Sequence, residues 1–263
     1  MDKAINFRMV QPRNKLANVV QALWSVTVSS DADRDVNHWL QGDGGCGIIF
    51  NLKGAIQLNQ KRLSLDCFLQ PISDQAHKIL LPPGSVIAGI RFHPAISYGL
   101  FQKHVSHPSA LNTADALLLP LNILHRQLSL QHSHSGRILC LFKWLKSSFD
   151  VDDLRPKPLA QAIDNIHQQL SVSGLKDDIP VSQRQLERHF QKWLGMSAKN
   201  YQRIVRTRNA LSDFRSNPNT QLIELAQNHG FTDQAHMTRE FKAIAKITPG
   251  QYRKKLAQDR EFA

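Results

Sequence analysis

Leu222-Ile223-Glu224-Leu225-Ala226-Gln227-Asn228-His229-Gly230-Phe231-Thr232-Asp233 is the stretch on which the reading of this 263-residue chain turns. Leu222, Leu225 and Ala226 recur at spacings of three and four, which predicts a short amphipathic helix. Gly230 can take the left-handed backbone that a sharp turn needs, and Thr232 or Asp233 can N-cap a following helix. Ala226 is small enough to let two steeply crossing helices approach closely. A short helix, a glycine turn and a capped second helix make a helix-turn-helix, whose second helix is the one that enters the major groove.

Working outward, the same unit occurs twice. A shift of 51 residues aligns Leu186 with Met237, Arg188 with Arg239, Phe190 with Phe241, Met196 with Ile247, Ser197 with Thr248 and Tyr201 with Tyr252. Self-similarity in register means one supersecondary unit used twice. Upstream the offset becomes 50, pairing Leu175 with Leu225. On the second helix of the later copy, Met237 and Phe241 point inward, which leaves Gln234, Ala235, His236 and Arg239 on the other faces, preceded by Thr232. In the earlier copy Leu186 and Phe190 are inward, and Ser182, Gln183, Arg184, Gln185 and Arg188 are presented. Gln and Arg can pair bidentately with adenine and guanine edges, so these residues are the candidate DNA-binding set.

Charge agrees with that direction. Of 33 Lys+Arg and 21 Asp+Glu (net +12), residues 155–263 hold 18 and 10, or +8, leaving +4 for residues 1–154. A basic excess favours a polyanionic partner, with nucleic acid first and an anionic membrane surface second. At 41% hydrophobic and 21% charged, the composition excludes disorder and collagen. Cys46, Cys67 and Cys140 are far apart and form no CxxC pair, which argues against a zinc ribbon, a redox motif or a secreted disulfide framework. A cytoplasmic location is expected, with no signal peptide in Met1–Arg8 and no membrane span.

Residues 158–257 resemble the AraC/XylS family of bacterial transcription regulators. The resemblance rests on Ser182-x3-Leu186-x-Arg188-x-Phe190-x4-Gly195-x-Ser197, then Tyr201, Arg206 and Ala210, then Ala226-x3-Gly230-Phe231-x9-Phe241, and Thr248-Pro249-x2-Tyr252-Arg253. It implies two helix-turn-helix units joined by a long helix, here Ala198 to Ser216, which insert two recognition helices into successive major grooves. Lys176 stands where the first unit normally has alanine, and Pro180 where a turn glycine is common. Met237, Lys246 and Thr207 also replace a usual phenylalanine, glycine and leucine. Arg206, on the joining helix, is expected to make a structural ion pair.

The first half has a different texture. Gly47-Ile48-Ile49-Phe50-Asn51-Leu52 and Val86-Ile87-Ala88-Gly89-Ile90-Arg91-Phe92 are short β-prone runs between glycine-bearing turns. Trp39 to Leu52, with Gly89 to Pro94, is similar to the β-rich N-terminal domain of one subgroup of the family and implies a cupin-like barrel or sandwich. Arg137 to Phe149 reads as an amphipathic helix, and Asp150 to Pro158 breaks it. The expected fold class is therefore α+β: a β-rich sensor or dimerisation domain over 1–135, a linker helix and loop over 136–155, and an all-α DNA-binding domain over 156–263.

Asp43, Cys46, Arg91 and His93 are candidate effector-pocket residues. The competing reading makes Asp43 part of a hairpin turn, Cys46 a small buried residue and Arg91 the partner of an acid. Neither His104 with His107 nor His132 with His134 has flanking Cys or carboxylate ligands, so no metal or cofactor is expected. The chain therefore reads as a sequence-specific regulator of transcription that is not an enzyme. Its partner is double-stranded operator or promoter DNA, and an unidentified small-molecule effector acts through the first domain. RNA polymerase and a second copy of the chain stay open as further partners. The alternative is a cupin-like enzyme with a basic, nonspecific nucleic-acid-binding tail, yet residues 40–100 hold only His77 and His93 and no glutamate for a metal cluster. An alkylation-repair methyltransferase would need clustered zinc cysteines, and an architectural DNA binder would have little use for a β domain.

Overall fold

The computed structural model describes residues 4–40, 42–63, 65–101, 108–110, 121–148, 154–168 and 179–261. Lys176, Leu175, His104 and His107 lie outside them.

Among the described residues, ten strands form two antiparallel sheets. The larger has the order β1(Ile5–Val10), β2(Val20–Val28), β9(Val86–Phe92), β4(Gly47–Lys53), β7(Cys67–Gln70), β10(Ser109–Ala110). The smaller has the order β3(Val36–Leu40), β8(His77–Leu81), β5(Gln57–Leu58), β6(Lys61–Arg62). The unbroken apolar runs of β4 and β9 have a simple cause, because both faces of the larger sheet are covered. Ile49 and Ile87 point toward the small sheet and pack with Val36, Phe68, Ile79 and Leu81. Ile48, Phe50, Ile90 and Phe92 point the other way, under helices α1(Ile96–Phe101), α2(Leu121–Ser129) and α3(His134–Ser148). Helix α3 was expected as a linker. It instead buries Ile138, Leu141 and Leu145 in the core of the first domain, because its apolar stripe needs the sheet to cover it.

The second half is helical: α4(Lys157–His167), α5(Gln183–Leu194), α6(Ala198–Ser216), α7(Leu222–Asn228), α8(Gln234–Glu240) and α9(Pro249–Glu261). The long helix has the bounds that the resemblance implies. It serves two cores, giving Tyr201, Ile204 and Val205 to one, with Leu159, Ile163 and Phe190, and Ala210, Leu211 and Phe214 to the other, with Leu225, Ala226, Met237 and Phe241. Ser182 and Gln185 form a reciprocal capping box at the start of α5, and Gly195 ends that helix at φ 70°. Gly230 sits at φ 66° between α7 and α8, and Asp233 rather than Thr232 caps α8, accepting the His236 N–H at 2.6 Å.

The second recognition helix does not keep one geometry along its length. After Glu240 the chain widens into a π turn, Phe241–Ala245, and stops at Lys246, which is left-handed at φ 58°. Without glycine at this position, a side chain must occupy a region that costs an L-residue about 1 kcal/mol.

Candidate nucleic-acid interface

Both recognition helices bury one stripe and expose another. On α5, Leu186, Phe190 and Leu194 are buried, while Gln183, Arg184, Gln185 and Arg188, with the cap Ser182, are exposed. On α8, Met237 is buried, and Gln234, Ala235 and Arg239 are exposed after an exposed Thr232. Arg188 and Arg239 thus occupy the same phase in the two copies. His236 is half-buried: its Nδ1 accepts the Thr232 N–H at 3.3 Å, and its ring meets Phe231 edge-on at 5.7 Å.

The repeat extends to the anchors behind these helices. Ser197 caps α6 and Thr248 caps α9, each accepting the N–H three residues on. The paired tyrosines are both buried and both tie their hydroxyls to an earlier helix, Tyr201 to His167 of α4 at 2.8 Å and Tyr252 to Arg215 of α6 at 3.0 Å. Each recognition helix is therefore held from behind by a capped helix and an aromatic strut, which fixes the exposed stripe in place.

The structural ion pair expected of Arg206 belongs to Arg203 instead. Arg203 grips the buried carboxylate of Glu240 through Nε and Nη2 at 2.9 to 3.1 Å. Arg206, one helical turn away, donates to the Gly230 carbonyl at 3.0 Å and lies over the Phe231 ring at 4.7 Å, holding the helix-turn-helix turn by a hydrogen bond and a cation–π contact. Burial lowers its pKa from the usual arginine value.

In the first domain, Asp43 is buried and accepts the Gly45 N–H at 2.8 Å. It also binds Arg91, and Arg208 of α6 comes within 3.9 Å. Burial opposes its charge, but the two guanidiniums outweigh that and hold the carboxyl below its ordinary range. Cys46 is buried, and burial pushes its thiol up to about 11. His93 faces a separate cleft of about 430 Å³ that it shares with Arg155, Asp164, His167 and Arg208. Asp43 and Arg91 are thus brought together as a buried pair, and of the four expected pocket residues His93 is the one lining this cavity. Among the described residues, no cluster of three His, Cys, Asp or Glu is placed to hold a metal.

The two domains are docked. A side chain at Gly44 would meet the Tyr201 ring at 2.6 Å, Tyr98 of α1 packs at a tilt against Trp193 of α5 with centroids 5.2 Å apart, and the Ala76 N–H donates to the Ile244 carbonyl at 2.6 Å. A second cavity of about 810 Å³, lined by Ile72, Asp74, Met196, Lys199 and Arg203, also lies at this junction.

One complete helix-turn-helix, a second recognition helix at the matching phase and a long helix shared by both, with a β-rich domain at their side, make up the candidate interface among the described residues. Residues 177–255 match the model of a helix-turn-helix domain. Residues 8–109 match a domain of unknown function, DUF6597. The chain is similar to the transposon Tn10 TetD protein of Escherichia coli, at 30% identity over 90 residues, which are 34% of this chain and 64% of that protein. Among solved structures, ToxT from Vibrio cholerae O395 is 11% identical with a TM-score of 0.47, and the match covers 97% of this chain and 99% of that one. An AraC-type transcriptional regulator from Chromobacterium violaceum is 25% identical with a TM-score of 0.36, covering 38% of this chain and 93% of that one. No helix among the described residues is long and apolar enough to cross a membrane.

Proposed function

We propose that this chain is a sequence-specific regulator of transcription that reads operator or promoter DNA with α5 and α8, without catalysis, in the cytoplasm. The observation that carries this reading is the pairing of Arg188 and Arg239 at one phase on two recognition helices with exposed polar stripes, buttressed by one rigid helix. Phosphate contacts would set register, Gln234, His236 and Arg239 would supply most of the base readout, and Arg184 and Arg188 would give positioning with a smaller share of it. The N-terminal domain would transmit a small-molecule signal through the junction, where both cavities touch both domains.

Selection of bound duplexes from a random pool by the full chain, followed by titration at several salt concentrations, tests the reading. A defined motif, bound with an affinity that falls steeply with salt, is expected. Recovery of no motif, or salt-insensitive binding, would refute it.

A further inference from the structure

The tip of the β5–β6 hairpin turns through Asn59 and Gln60, which have φ 49° and 67°. Two consecutive left-handed residues, neither of them glycine, form a strained turn of the type that tight hairpins use. Side chains hold it: the Asn59 Oδ1 accepts the Lys78 N–H at 3.0 Å, and its Nδ2 faces His77 Nδ1 at 2.6 Å. The other ring nitrogen of His77 meets Ser73 Oγ at 2.7 Å. This Ser–His–Asn row is no hydrolytic relay. With the Asn59 oxygen already occupied, its NH₂ donates to Nδ1, so Nε2 carries the proton and cannot accept one from serine. What the row does is tie the hairpin tip to the loop after β7, and that loop bonds the π turn at the end of α8 through Ala76 and Ile244.

A preorganised, exposed tip is thus fixed beside the second recognition helix. It carries Lys61 and Arg62, both exposed. The exposed stripe of the second unit runs through Ala235, Arg239, Lys242 and Lys246, and the charge of Lys246 reaches His77 behind the tip. Lys246 of the second unit and Lys61, two residues beyond Asn59, are thus linked through His77, with Asp74 as an acid in the same neighbourhood.

We infer that the β5–β6 hairpin is an additional DNA-backbone contact, in which Lys61 and Arg62 grip phosphates just outside the bases read by α8. This inference rests on the DNA-binding reading above. A contact of this kind adds affinity and footprint length without base preference.

The test uses the full chain and its Lys61→Ala/Arg62→Ala variant on two duplexes bearing the selected motif. One duplex ends flush with the second unit's half-site, and the other continues about ten base pairs, one helical turn, beyond it. On the longer duplex the variant should show a slope of log affinity against log salt that is shallower by about 2, at about 0.9 per phosphate lost. On the flush duplex variant and wild type should coincide. Equal slopes on the longer duplex, or an equal loss on both, overturn the hairpin contact while leaving the regulator reading intact. Failure of the wild type to bind either duplex selectively overturns both.

Discussion

Asp43 of the β domain and Arg208 of the joining helix approach to 3.9 Å across the domain junction, while Arg91 of β9 holds the same carboxylate from within its own domain. One buried anion thus serves two cations that belong to different folding units. Arg91→Ala should destabilise the full chain by roughly 3 kcal/mol, because it leaves a buried carboxylate with one distant partner. Arg208→Ala removes the weaker contact, so it should change the melting midpoint less and loosen the junction more. Thermal melts, together with limited proteolysis of the segment between α3 and α4, check both halves of this expectation.

Arg203 and Arg206 separate by the same logic. Arg203→Ala strands the buried Glu240 carboxylate and should cost roughly 2 to 3 kcal/mol. Arg206→Ala loses one hydrogen bond and a ring contact, about 1 kcal/mol. If denaturant titration ranks the two in the opposite order, the Glu240 pair is not what fixes α8 to α6.

Thr207 is fully buried in α6 and its hydroxyl has no hydrogen-bond partner. Replacing it with valine keeps the branched shape and removes the unsatisfied group. Thr207→Val should therefore stabilise the chain by about 1 kcal/mol, seen as a higher denaturant midpoint at unchanged slope.

On the selected operator, Arg239→Ala should cost about 1 to 3 kcal/mol and relax preference at one base pair, as the loss of a bidentate contact requires. Uniform weakening across all sequences would assign that arginine to phosphate. Substitutions of Arg184 and Arg188 are expected to affect positioning more than readout, and saturation of each operator half measures the ranking.

His93 and His167 share the smaller cleft. Burial lowers both pKa values below 6.5, helped by Arg155 at the first and Arg208 at the second. The folded chain therefore binds fewer protons at these sites than the unfolded chain once pH drops below about 6.5, so stability declines as pH falls through that value toward the folded ones. The melting midpoint should be lower at pH 5.5 than at pH 7.5. A His93→Gln/His167→Gln variant should show a smaller difference, and an unchanged difference would place the sensitivity elsewhere.

Much of the second half was legible because its signals are local. Ala226, Gly230 and the caps Ser182 and Ser197 act within a few residues, whereas the bounds of α6 come from the family resemblance. Arg203 and Arg206 lie one helical turn apart on that helix, so periodicity could not say which faces Glu240, 37 residues away in the case of Arg203. The π turn was hidden for a related reason. Phe241, Ile244 and Ala245 continue a helical rhythm, and only the left-handed Lys246 breaks it. In the first half, Asp43 and Gly44 read as a hairpin turn, but the chain there only bends as it passes from the smaller sheet to the larger, and nothing near them in sequence announces Arg208 or Tyr201. Contacts across 157 or more residues leave no period to read.

The seating of Gly44 under Tyr201 also bears on how the molecule is made. Synthesis delivers the β domain and its covering helices first, and at ribosomal speed the remaining helices follow over about 5 to 20 seconds. The first helix-turn-helix unit therefore finishes its core against a platform that is already there, rather than by meeting a partner formed at the same time. Since any side chain at position 44 would occupy the space of the Tyr201 ring, a substitution there would leave each half able to form and spoil their joining. Its defect would appear late in biogenesis, as a chain whose two parts are folded but not coupled.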